Sequence, residues 1–167
     1  MISKGKKQKT AGADKANCSF RKAIENTPDV QHGYREGLQA IEKADKRAVM
    51  AKDARKLDGS LNIDKATKVL YPNDSRWDYA VCYDGKVYYV EVHPANTSNI
   101  EEMIKKKVWL VKWLKEKAPS LNALKAGSPK FQWAATESGV HISSQSMYAR
   151  RLSQQGIEKP KRPVVLG

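Results

Sequence analysis

The chain has 167 residues, with 31 Lys and Arg against 18 Asp and Glu, for a formal charge of +13. That length suits one domain with its own core, and no apolar run reaches the roughly 18 residues a membrane span needs. So strong a cationic excess repels itself and points to a polyanionic partner, above all nucleic acid, where each cation near a phosphate releases condensed counterions.

Residues 1–30 are polar and lysine-rich and read as a basic, largely flexible arm, disordered over 1–12, with a short helix near 14–25. No apolar segment follows the basic start, so it is not a secretory signal. Cys18 and Cys82 show no CxxC spacing and fit a reducing compartment. A cytoplasmic protein is expected. Residues 31–155 form the expected single α/β domain, and residues 156–167, with Lys159, Lys161 and Arg162, read as a loose basic C-terminal tail.

Within the domain, residues 33–57 show helical spacing, with Tyr34, Leu38, Ile41, Ala48 and Val49 on one side. Asp58-Gly59 follows as a helix stop. Residues 66–71 form a short candidate strand before Pro72-Asn73-Asp74. Residues 77–83 and 86–93 are β-rich runs around Asp84-Gly85, the strongest short hairpin signal. Ser98 and Glu101 have the spacing of a capping box. They open a helix to about Lys117, whose expected buried residues are Ile100, Met103, Ile104, Val108, Val111 and Leu114. Trp109 and Trp113 lie one turn apart beside this stripe. A strand over 130–136 and a short helix over 143–152 complete the chain, and strand–helix–strand implies a right-handed parallel crossover. The order is helix, three strands, helix, strand.

The hairpin carries the chemistry. With Asp84 and Gly85 as the loop, Tyr83 faces Lys86, and counting outward sets Asp78 opposite Glu91, with Cβ atoms roughly 5 Å apart. His93 lies two residues further, on the same face. Opposed carboxylates in apolar strands repel and are costly to bury unpaired. A lysine or arginine, a shared proton or a divalent cation would each resolve the conflict. Hard cations such as Mg²⁺ bind through one or two carboxylates plus substrate phosphate.

Asp78 in Arg76-Trp77-Asp78-Tyr79, followed by Glu91 in Val90-Glu91-Val92-His93, resembles the PD-(D/E)xK nuclease superfamily, which includes restriction endonucleases and Holliday-junction resolvases. The resemblance spans residues 33–137. It implies a restriction endonuclease-like core, with a mixed sheet flanked by helices, and a Mg²⁺- or Mn²⁺-dependent nuclease acting on DNA ahead of RNA. By the same resemblance Asp78 and Glu91 hold the metal. Where the family pattern has lysine, which positions or activates the attacking water, this chain has His93. A neutral histidine could accept a proton or ligate metal, and a charged one could replace the cation; Lys106 or Lys107 on the next helix could serve instead.

Many superfamily members add an acid from the first helix. On a wheel at about 100° per residue from Leu38, Glu42 falls at about 40° and Asp45 at about 340°. Glu42 is the better third metal contact, against a salt bridge to Lys46 or Lys52. Arg76, Lys106 and Lys107 are the candidate phosphate contacts. The alternative function is a catalytically inactive nucleic-acid-binding or adaptor module on the same fold.

Overall fold

A computed structural model describes residues 19–128, 130–143 and 146–167. The basic start over 1–12 and Cys18 lie outside them. Among the described residues, no helix is long and apolar enough to cross a membrane.

The described residues open with helix α1 (Ser19–Glu25), and its Phe20, Ala23 and Ile24 join Val30 in the core, so residues 19–30 do not belong to the expected flexible arm. Residues 33–57, expected as a helix, contain no α-helix. They run through an isolated bridge between Arg35 and Ser60, a 3-10 turn at Lys43–Ala48, strand β1 (Val49–Ala51) and a second 3-10 turn at Ala54–Lys56. Four of the five apolar residues do share a side: Ile41, Ala48 and Val49 are buried together with Leu38 packed against them, while Tyr34 packs on the opposite core. Apolar burial is non-directional, so an irregular layer satisfies it as well as a helix does. Gly33 and Gly37 also weaken a helix here, and Gly37 takes φ +51°.

Asp58-Gly59, expected as a helix stop, lies inside strand β2 (Leu57–Asn62). A Cβ on Gly59 would come within 2.4 Å of Tyr34 Cε2 and 2.9 Å of the Arg35 carbonyl. The glycine thus serves close approach of two segments rather than a helix exit. Residues 66–71, expected as a strand, are also corrected. Asn62 accepts the Lys65 amide at 2.9 Å and caps helix α2 (Ile63–Thr67). Val69 and Leu70 then stand exposed in the turn that follows.

The hairpin, the long helix, the parallel strand and the closing short helix follow the expected order. Strands β3 (Tyr79–Tyr83) and β4 (Lys86–Ala95) flank Asp84 and Gly85, whose φ values of 50° and 76° match the strand twist. The long helix α3 (Ile100–Glu116) and short α4 (Pro119–Ala123) lead to strand β5 (Phe131–Val140), then helix α5 (Met147–Gln154) and strand β6 (Val164–Leu166). A four-stranded sheet has the order β2-β3-β4-β5, with β4 and β5 parallel and the other pairs antiparallel. Pro94 sits where the β4–β5 register shifts, a place where a missing amide donor does least harm.

Asn96 and Asn99 form a capping box on the 3-10 turn Thr97–Asn99 that leads into α3, in place of the expected box of Ser98 and Glu101. Its buried face is Ile100, Met103, Leu110, Trp113 and Leu114, while Val108 and Val111, expected in the core, are exposed. Trp109 stacks on Trp113 with centroids 5.8 Å apart.

The helices pack on one face of the sheet, in a core containing Trp77, Tyr89, Met103, Leu110 and Trp133. The opposite face is covered by Leu38, Ile41 and the parallel pair β1–β6. Residues 156–167 are therefore no loose tail. Ile157 and Lys161 bridge to β5, and Val164 pairs with Val49. The chain is a mixed α/β protein with a four-stranded mixed sheet flanked by helices.

Candidate active site

The ladder pairs Tyr83 with Lys86 and continues to Tyr79 with Val90, so Asp78 and Glu91 meet just beyond its last pair. Two hydrogen bonds lock them. Glu91 Oε2 accepts the Asp78 amide at 2.8 Å, and Asp78 Oδ2 accepts the Val92 amide at 3.1 Å. Strand alternation turns both side chains toward the helical face. There Lys106 on α3 places Nζ 2.6 Å from Glu91 Oε1 and donates to the Arg76 carbonyl at 3.1 Å.

Of the three resolutions open to the paired acids, the described residues supply the lysine. Lys106 follows Met103 by three positions and precedes Leu110 by four, both fully buried. A lysine inside an apolar stripe was the signal in the sequence that singles it out from its neighbours Lys105 and Lys107.

Glu91 is only 1% exposed, and burial, then the Asp78 charge, push its carboxyl well above the ordinary range, although Lys106 pulls it down. Burial also raises Asp78 to about 6, against the pull of Lys106 and the Val92 amide. Burial alone would lower Lys106, but the Glu91 and Asp78 carboxylates outweigh it and hold the ammonium above its usual range. Two carboxylates facing one ammonium leave a surplus negative charge, which a proton or a cation can take up. Asp78 is less deeply buried than Glu91, so a solvent-borne ligand meets the pair from its side.

His93 lies on the same face as Glu91, with Nε2 3.3 Å from Glu102 Oε2 and Nδ1 3.2 Å from the Pro94 carbonyl. Its own carbonyl accepts the Trp133 indole at 3.0 Å. Glu102, a helix residue that sequence reasoning passed over, is thus the group that faces the histidine.

The structure does not bring Glu42 to the acid pair. It precedes a 3-10 turn, exposed, 3.4 Å from Asn62 Nδ2 and 3.8 Å from Lys65 Nζ. Lys65, not Lys46 or Lys52, is its partner. Glu42 instead donates its amide to the Tyr79 hydroxyl at 3.2 Å, and that hydroxyl donates to Asp45 at 2.6 Å, on the other face of the sheet. A three-acid centre of Asp78, Glu91 and Glu42 is therefore not formed. Among the described residues no group of three or more His, Cys, Asp or Glu side chains is placed to hold a metal ion.

Arg76 is not a free phosphate clamp. Its side chain is 12% exposed, bonded to Asp64 at 2.8 Å and to the Tyr71 carbonyl at 2.6 Å. Lys107 points elsewhere, with Nζ 5.8 Å from the centroid of Phe131.

A divalent cation nonetheless suits the pair in one respect. Mg²⁺ commonly uses one or two carboxylates and completes its shell with water and substrate oxygens. Asp78 engages one oxygen with the Val92 amide, and no second protein donor to this carboxyl is found among the described residues. The chain matches no family model, no curated protein and no solved structure.

Proposed function

We propose that the protein is a metal-dependent nuclease that hydrolyses phosphodiester bonds in DNA, on a restriction endonuclease-like core, with Lys106 standing where His93 fails to supply the motif lysine. One observation carries the reading: at the open end of the β3–β4 hairpin Asp78 and Glu91 are tied together, and Glu91, the more buried, meets the Lys106 ammonium at 2.6 Å. The acid–acid–lysine set is that of the superfamily, with the lysine delivered from α3. The net charge of +13 supplies the attraction for a polyanion.

In this reading Asp78 and Glu91 would hold Mg²⁺ or Mn²⁺, which when bound supplies Lewis acidity and a hydroxide near neutral pH. Lys106 draws the buried Glu91 toward its ionised form, against burial and the Asp78 charge, and would present an N–H donor toward the developing phosphate charge. Glu102 orients His93, which shares the face of Glu91 but turns its ring nitrogens to Glu102 and the Pro94 carbonyl.

A second reading, a non-catalytic nucleic-acid-binding module, draws on one fact: both Glu91 oxygens already have protein partners. The test is incubation of the full chain with plasmid, single-stranded DNA and RNA in Mg²⁺ or Mn²⁺, alongside calorimetry of metal binding. The nuclease reading expects cleavage that Glu91→Gln and Asp78→Asn abolish. No cleavage and no metal binding, with salt-sensitive DNA binding unchanged in Glu91→Gln, establishes the module instead.

A further inference from the structure

A cleft of about 520 Å³ opens between residues 28–46 and the start of α2. It neighbours the acid pair without including it. One wall is anchored where the Ile63 amide donates to the Asp78 carbonyl at 2.8 Å. The other is anchored where the Tyr79 hydroxyl binds the Glu42 amide and Asp45. Both walls thus hang from two consecutive residues of the hairpin.

The volume lies within the roughly 300–1,000 Å³ of small-molecule sites. Arg35, Lys43, Lys46 and Lys65 line the cleft, against the acids Asp29 and Glu42. Asp29 is already engaged by the Tyr71 hydroxyl at 2.7 Å and the Trp113 indole at 3.0 Å. Glu42 faces Lys65 at 3.8 Å. Among the described residues Arg35 donates only to the backbone carbonyls of His32 and Tyr34. Lys43 and Lys46 have no carboxylate partner among the described residues. Four cations against two carboxylates leave the concave surface with two positive charges in excess.

That surface also carries the exposed side-chain amide of Gln39, and Asn62 keeps one amide hydrogen and one lone pair beyond its bonds to Glu42 and Lys65. A bare cation is excluded by the sign of the charge. A purely apolar ligand would desolvate the lysines with nothing in return. An anion with a flat polar body satisfies both halves, because phosphate oxygens take charge-assisted bonds from lysine and arginine while amides meet hydrogen-bonding edges.

We infer that this cleft binds a nucleoside phosphate, either as a free nucleotide or as the terminal unit of a strand. Only the strand-bound form rests on the nuclease reading; the binding itself needs no cleavage.

Calorimetry of the full chain in EDTA, where no cleavage occurs, tests it with deoxyadenosine 5′-monophosphate, deoxyadenosine and 5′-phosphorylated tetrathymidylate. The monophosphate is expected to bind at least tenfold more tightly than the nucleoside. Lys43→Glu/Lys46→Glu weakens it at least tenfold at unchanged melting temperature, whereas the equally charged control Lys112→Glu/Lys117→Glu leaves it within twofold. Tetrathymidylate binding tenfold tighter than the monophosphate identifies a strand end, and equal or weaker binding identifies a free nucleotide. The inference is overturned if neither phosphate binds, if the nucleoside binds equally well, or if the Lys43/Lys46 variant binds like the parent. Loss of the nuclease reading in the cleavage assay leaves each of these outcomes intact.

Discussion

Asp78 and Glu91 are tied crosswise: the Asp78 amide donates to the Glu91 carboxylate at 2.8 Å, while the Asp78 carboxylate accepts from Val92, the residue after Glu91, at 3.1 Å. Each acid therefore holds the other's strand in register. The hairpin end is stiff as a result, and the acids are presented together whatever occupies the space beside them.

Lys106 is the only ammonium that reaches this pair in the described residues. Removing one partner of a buried ion pair strands the other charge, so Lys106→Met should cost about 3 kcal/mol of stability at pH 8. The loss should shrink at acid pH as Glu91 takes a proton. Lys106→Met/Glu91→Gln should recover most of it, since a neutral amide needs no counter-charge. Urea unfolding of the three proteins at two pH values measures this, and a full-sized loss in the double variant contradicts it.

Asp78 sets a pH dependence of opposite sense to that of a surface carboxylate. Its folded-state pKa of about 6 lies above the ordinary value of 3.8, so between those limits the native state binds more protons than the unfolded chain. The stabilising effect of its proton is complete below the lower limit and is lost as pH rises through about 6, to a total on the order of 3 kcal/mol. Asp78→Asn should flatten the stability profile between pH 4 and 7. If the nuclease reading holds, activity should rise through the same window as Asp78 ionises.

His93 and Lys106 compete for the role of the motif lysine, and their substitutions should separate. With Lys106 in that role, Lys106→Met lowers kcat at least 100-fold, a loss typical of removing a group that acts on the transition state. His93→Ala should stay within about fivefold, because Glu102 and the Pro94 carbonyl already occupy its ring nitrogens, and removing a group outside the transition state leaves kcat nearly unchanged. The reverse order would assign the role to His93.

Gly59 gives a test of the fold alone. With Tyr34 at 2.4 Å and the Arg35 carbonyl at 2.9 Å from the position of a Cβ, Gly59→Ala must displace backbone as well as a ring. A loss of about 1–3 kcal/mol is expected. Gly127→Ala, where no atom lies within 4 Å of the added carbon, should change stability by less than about 0.5 kcal/mol.

Some of this architecture was readable before any coordinates. The Asp84-Gly85 turn needs positive φ at both positions, and side chains alternate strictly along a strand, so the meeting of Asp78 with Glu91 followed from counting. The apolar spacing of α3 and the strand after it were equally local signals. Residues 33–57 were misread because a helical spacing of apolar residues records only that one side is buried. Contacts remote in sequence settled its form: β6 beside β1, and Tyr34 closing over Gly59. The same holds for the last twelve residues, whose strand exists only because β1 offers it an edge.

The chain's covalent order thus dictates a basic protein with a twist-matched hairpin and two opposed acids, since those depend on composition, turn chemistry and a period of two. Which cation answers the acids, and which face Glu42 joins, depended on long-range packing. Desolvation and Coulomb energy vary with distance through space, and that distance is set by how α3 and the 38–51 layer settle on the sheet.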